Sequence, residues 1–196
     1  MNIRRLFEGA IESARDWHAH LPEAREFCPW PDDLAWKERP AHALPSARLV
    51  AESPGAAIKS SMSLAKALGR LVPRIEWRHK YAEEEVGRDF LDRYCWFELA
   101  GPDGHFISGK ARMTVGYRGT HLHYPRHQRA PEELYTVLSG QATFHSDGEE
   151  DETLDPEGVR MHRVNQPHAP TPGEMPVPAF ELWRGDNLAS EPGMAK

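Results

Sequence analysis

After Arg93 the chain stops repeating at helical spacing and becomes a succession of short strand-like runs cut by Gly and Pro. This change limits the fold more than any other feature. Runs at 106–108, 111–117, 119–124, 133–139, 141–146, 159–164 and 179–184 follow an aromatic stretch at 94–99 and the turn Gly101-Pro102-Asp103-Gly104. Strands this short, with this punctuation, close into a sandwich or small barrel. Before Arg93 the pattern is helical. Ile3, Leu6, Phe7, Ala10, Ile11, Ala14, Trp17 and Leu21 recur on one helix face. Ser53-Pro54-Gly55 opens a second helix, with Ile58, Met62, Ala65 and Leu68 on one stripe and Pro73 at its end. A third helical segment spans 83–92, weakened by Gly87. Pro29, Pro31, Pro40 and Pro45 make 28–48 an irregular wrap with at most a short helix after Pro31. The expected organisation is mainly β: a helical segment 1–92 packed on a barrel 93–187, with a tail 188–196.

Composition removes several function classes. The 196 residues carry a net charge of -6, from 24 basic and 30 acidic side chains, with no dense Lys/Arg block, which argues against nucleic acid as a partner. No apolar run reaches the roughly 18 residues that span a bilayer, and Glu, Ser, Arg and Asp interrupt every apolar run near the N-terminus. A cytoplasmic protein with no membrane partner is expected. Cys28 and Cys95 stand far apart beside aromatic residues, as buried free thiols do. The acidic run Glu149-Glu150-Asp151-Glu152 is read as a solvated loop. Histidine is the outlier: of 11 in the chain, His105, His121, His123, His127, His145, His162 and His168 fall in one stretch.

Within that stretch, Y124-P-R-H127-Q-R129-A-P-E-E133-L-Y135-T-V-L-S-G140 and the later N165-Q-P-H168-A carry the chemistry. Residues two apart in a strand share a face, so His127 pairs with Arg129 and Glu133 with Tyr135, across a bend at Ala130-Pro131. His168, after Pro167, can arrive from a distant strand. Imidazole and carboxylate donors of this kind hold borderline and hard divalent metals. On spacing alone, a metal cluster and a set of solvated barrel residues both remain open.

The pattern of His127, Glu133 and Gly140 followed by a downstream P-H-A resembles the two cupin motifs. The surroundings YPRH, EELYTVLSG, NQPHA and LWRGD are similar to the cupin-type dimethylsulfoniopropionate lyases and their lyase-like relatives, over about residues 94–187, with 1–92 alike in layout. The resemblance implies a cupin barrel (double-stranded β-helix, or jelly roll) with an N-terminal helical segment. It implies a carbon–sulfur lyase that cleaves dimethylsulfoniopropionate to dimethyl sulfide and acrylate by β-elimination. It further implies one divalent transition metal, zinc, iron or manganese, held by His127, Glu133 and His168. Tyr135 would be the base and Tyr124 would help place a small carboxylate substrate. A homodimer is left open.

One position departs from the family pattern. Arg129 stands where the second histidine of HxH belongs, and a guanidinium cannot donate a lone pair to a metal. It could pair with Glu133 or grip the substrate carboxylate. Alternation turns Leu122 inward with Tyr124 and leaves His121 and His123 outward. His162 is read as a neighbour of the site rather than a ligand, and Trp96 and Trp183 as core aromatics. Two rival readings follow: a cupin of different chemistry, such as an oxygenase or isomerase, or a metal-poor ligand-binding cupin.

Overall fold

The computed structural model describes residues 2–52, 55–191 and 193–195. Helices α1 (Ile3–His20) and α2 (Pro22–Phe27) lead into a short strand β1 (Ala35–Trp36), followed by α3 (Ala47–Glu52), α4 (Met62–Leu71), α5 (Glu83–Val86) and α6 (Arg88–Arg93). The strands are then β2 (Tyr94–Gly101), β3 (Phe106–Ile107), β4 (Arg112–Arg118), β5 (His127–Gln128), β6 (Glu132–Val137), β7 (Ala142–Ser146), β8 (Glu152–Leu154), β9 (Val159–His162), β10 (His168–Pro172), β11 (Val177–Arg184) and β12 (Gly193–Met194). They form a seven-stranded sheet of order β1-β3-β2-β4-β11-β6-β9 and a five-stranded sheet of order β12-β5-β10-β7-β8.

Alternation decides what each face of the large sheet does. Cys95, Phe97, Leu99, Met113, Val115, Tyr117, Leu134, Phe180 and Leu182 project to one side and share a core with Phe7, Ala10, Ile11, Ala14 and Trp17 of α1 and with Leu64, Leu68 and Leu71 of α4. Trp17 Nε1 donates to Thr136 Oγ1 at 2.9 Å, fixing α1 across the sheet. The opposite face points at the small sheet. There Tyr135, Val137, Ala142, Phe144, Leu154, Val177 and Ala179 form an apolar plug at one end. Polar side chains occupy the rest.

Several elements depart from the sequence expectation. The second helix begins at Met62, so Ile58 precedes it, and its buried stripe is Leu64, Leu68 and Leu71; Ser53 and Pro54 lie outside the described residues. The segment 83–92 is two helices, because Gly87 at φ +78° turns the chain between them. α2 starts at Pro22, a proline at the first helical position, where the missing N–H costs nothing. Residues 119–124 form no strand. β1 was hidden among prolines, yet it adds to the edge of the large sheet by pairing with β3. β10 contains Pro170 and Pro172; β5 pairs with it only at His168, so the rest of that edge needs no N–H. The acidic run is largely exposed, but Arg160 takes Glu149 at 2.8 Å and Glu152 at 2.6 Å, and β8 begins inside it. Cys28 and Cys95 are buried free thiols, pushed up to about 11 and 12 by burial. No helix among the described residues is long and apolar enough to cross a membrane.

Candidate metal centre

Register across the sheets assembles the site. β10 sets His168 opposite His127 of β5, and β6 presents Glu133 and Tyr135 from the large sheet. β11 places Trp183 beside Glu133 and Glu181 beside Tyr135, and β4 adds Arg112 beside Trp183 and Thr114 beside Glu181. One donor atom from each of His127, Glu133 and His168 falls within 4.8 Å of the others, and all three residues are buried.

Hydrogen bonding turns both imidazoles the same way. His168 Nδ1 lies 2.8 Å from the Gln166 carbonyl and His127 Nδ1 3.3 Å from the Pro125 carbonyl. A carbonyl only accepts, so each Nδ1 carries a proton and each Nε2 presents a lone pair inward. His168 Nε2 then sits 3.1 Å from Glu133 Oε2 with no hydrogen-bond partner among the described residues. Two acceptors in that contact require a cation between them, either a second proton or a metal ion. The donor set of two neutral nitrogens and a carboxylate fits a divalent transition metal.

Arg129 shares this space. Its Nε donates to Glu133 Oε2 at 2.7 Å and its Nη2 to His127 Nε2 at 3.3 Å, while its guanidinium lies 4.4 Å from the Trp183 ring. The expected pairing with Glu133 is present, through one nitrogen rather than two. Burial works against the Glu133 carboxylate, but Arg129 and then His168 override it and hold it well below the usual carboxylate range. Burial, with the nearby His168 and Arg129, drives His127 well below the usual imidazole range. Trp183 Nε1 donates to the other oxygen, Glu133 Oε1, at 2.7 Å.

The remaining histidines sort as their faces dictate. His121 and His123 are exposed while Leu122 and Tyr124 are buried. His162 stacks on His168 at 3.7 Å with planes 6° apart, so one ion cannot lie in both ring planes; burial pulls it down to about 2. His105 stacks on Phe7 at 4.1 Å under the helices, and His145 meets Asp151 at 2.7 Å near the surface.

Tyr135 and Tyr124 both face the interior. Arg118 Nη2 donates to the Tyr135 hydroxyl at 3.1 Å and to Glu181 Oε1 at 2.7 Å, and Thr114 holds the other Glu181 oxygen at 2.6 Å. Burial nevertheless keeps the Tyr135 phenol above its usual range. Tyr124 packs on His127 at 4.7 Å and edge-on against Tyr94 at 5.2 Å.

Arg118 and Glu181 escaped the sequence reading. Their signal was there: Arg112, Thr114, Gly116 and Arg118 alternate along one strand face, and charged groups on a strand buried on both faces need partners. Gly116 makes the room, since a Cβ there would lie 2.7 Å from both Arg118 Nη1 and Glu181 Oε1. Beside Arg129 lies a small inner cavity, bounded by Lys80, Tyr94, Trp96, Thr114, Glu181 and Trp183. Trp96 is one wall of it, and Trp183 carries a hydrogen bond to the site as well as packing.

Comparison with known proteins agrees with this architecture. The family model for dimethylsulfoniopropionate lyase matches residues 27–179. The lyase DddQ of Ruegeria pomeroyi is 30% identical over 180 residues, covering 92% of this chain and 90% of that protein, and its crystal structure superposes with a TM-score of 0.92. A chain from the crystal structures of the lyases RdDddP and RnDddQII is 48% identical, with complete coverage of both chains and a TM-score of 0.97. A cupin-2 domain from Rhodospirillum rubrum, 10% identical, matches 63% of this chain and 77% of its own at a TM-score of 0.50, which places the fold among the cupins.

Proposed function

The chain belongs to the dimethylsulfoniopropionate lyase family, and we propose that it cleaves dimethylsulfoniopropionate to dimethyl sulfide and acrylate within the barrel. The observation that carries the site assignment is the contact of His168 Nε2 with Glu133 Oε2 at 3.1 Å, two buried acceptors aimed at one place. His127, Glu133 and His168 are the residues that would hold a divalent ion, and the absence of thiolate among them suits zinc, iron or manganese. Such an ion supplies Lewis acidity to the substrate carboxylate and so acidifies the neighbouring C–H.

Tyr135 takes that proton. Arg118 lies 3.1 Å from its hydroxyl and stabilises the phenolate, while Glu181 and Thr114 fix Arg118 in place. Because burial raises the phenol, Arg118 alone does not keep Tyr135 ionised; an ion held by His127, Glu133 and His168 would add the positive charge that favours loss of the phenol proton to solvent and leaves the phenolate as the base. As the C–H bond breaks, its electrons form the carbon–carbon double bond and the C–S bond breaks with its pair on sulfur. Dimethyl sulfide leaves neutral and needs no acid. Tyr124 walls the pocket beside His127 and helps place the substrate.

Arg129 supports a second reading, in which its guanidinium bridges Glu133 and His127 as the resident cation and the barrel binds a carboxylate without a metal. Elemental analysis after metal-supplemented purification, paired with headspace measurement of dimethyl sulfide, separates the two. About one ion per chain with gas release is the expected result. Tyr135→Phe should abolish release and keep the ion; undiminished release would overturn the role of Tyr135.

A further inference from the structure

Lys80 stands between two spaces. It borders the small inner cavity beside Arg129 and also an outer basin of about 440 Å³ formed with His42, Glu76, Arg78, Trp96 and Glu191. Its side chain is 5% exposed. The inner cavity has room for about one water, and Lys80 and Trp96 line both it and the basin.

Each cation around this passage is held by a carboxylate: Arg129 by Glu133, Arg112 by Glu98, Arg78 by Glu76 and Lys80 by Glu191. Arg129 and Arg112 both add positive potential at Lys80, and Glu181, the anion of the inner cavity, is already committed to Arg118 and Thr114. Trp96 Nε1 is buried with no acceptor among the described residues. Burial together with Arg129 pulls the Lys80 amine down to about 7, against the opposing pull of Glu191. Of these four carboxylates, that of Glu191 is the most exposed.

Glu191 Oε2 sits 3.0 Å from Lys80 Nζ, yet the Glu191 side chain is 63% exposed and reaches in from the surface. The segment that carries it is hung from Arg112 Nη1, which donates to the carbonyls of Leu188 and Ser190 at 3.1 Å each. It then continues into β12, where Met194 pairs with His127 itself. A surface carboxylate tied to a buried amine at the mouth of a cavity has the chemistry of an occupant.

We propose that Lys80 captures the carboxylate of the incoming substrate at the entrance to the inner cavity, and that Glu191 is a tethered stand-in which that carboxylate displaces. The proposal rests on the reading of the barrel as a site for a short carboxylate. It assigns Lys80 to selection and entry, one step before the reaction at Tyr135.

Titration calorimetry with propionate, on the protein as purified, tests this without requiring turnover. Lys80→Met should weaken binding about tenfold, the loss expected for one charge-assisted hydrogen bond. Lys80→Arg should stay within about threefold of the parent, and Glu191→Gln should bind several-fold tighter because the competitor is gone. In the lyase assay the same changes should fall on KM rather than kcat. Equal propionate affinity in all variants, or weaker binding by Glu191→Gln, overturns the proposal. If Lys80→Met does not fold, Glu191→Gln decides alone, since that side chain is exposed. The propionate pattern without dimethyl sulfide release would sink the lyase reading and leave Lys80 in its role, whereas release without the pattern would do the reverse.

Discussion

Strands β2, β4, β11 and β6 of the seven-stranded sheet are buried on both faces, and the two faces are built on opposite physics. Toward the helices, Phe97, Met113, Val115, Leu134, Phe180 and Leu182 are held by area removed from water, a non-directional force that asks only for apolar groups of the right volume. Toward the small sheet, the same strands present Glu98, Arg112, Thr114, Arg118, Glu133, Tyr135 and Glu181, each tied to a particular partner. Arg112 meets Glu98 at 2.7 Å between two tryptophans, 5.4 Å from the Trp96 ring and 4.3 Å from Trp183. The difference teaches where this protein spends stability. The helix-covered face folds the chain, and the inner face keeps charges dry so that they act strongly on a substrate.

The sharpest way to break that contrast is to remove one inner charge. Arg118→Met leaves Glu181 buried without its cation, and chemical denaturation should register a loss of about 3–5 kcal/mol. Arg118→Met combined with Glu181→Leu should recover part of it; a loss below about 1 kcal/mol in the single variant would mean that the pair is not desolvated in solution.

A titration distinguishes the faces next. Burial pulls His105, which lies under the helices, down to about 4, against about 6.5 in an unfolded chain. Between those values the unfolded chain binds a proton that the folded one refuses, so stability falls as pH drops below about 6.5. His105→Phe keeps a ring against Phe7 and should remove about 2 kcal/mol of that acid sensitivity at pH 5. An unchanged pH slope would show that His105 takes up its proton in the folded state.

Arg129→His sharpens the account of the centre itself. It removes the guanidinium from Glu133 and His127 and adds a neutral donor, so zinc affinity measured against a chelator should rise about tenfold. Higher affinity with lower activity would assign Arg129 to the substrate; no change in either would place its side chain outside the site in solution.

The smallest effect belongs to the helix-covered face. Leu182→Met conserves volume in a purely apolar setting and should cost under about 1.5 kcal/mol, read from the denaturation midpoint. A larger loss would mean that this face is as particular about its side chains as the inner one.

Much of this is legible in the sequence alone, and the reason is periodicity. The helical repeat from Ile3 to Trp17 and the alternation around Glu133 and Tyr135 each fix a face, because side-chain direction follows from backbone geometry alone. The same rule turned Leu122 and Tyr124 inward, although 119–124 forms no strand. The prolines in β10 and the shortness of β1 and β12 defeated it, since those strands exist by pairing and carry no strand signal of their own.

By itself, then, the sequence determined the layered plan and the shared strand face of Glu133 and Tyr135, consequences of local spacing, while the gathering of His127, Glu133 and His168 was implied by the family resemblance. Tertiary structure alone decided who meets whom: Arg118 with Glu181, 63 residues on, Trp183 with Glu133 across 50, and Lys80 with Glu191 across 111. Alternation says that a side chain points inward, but its partner is chosen by the register of strands far apart in the chain, which is settled only when the sheets close and every buried charge must find its complement.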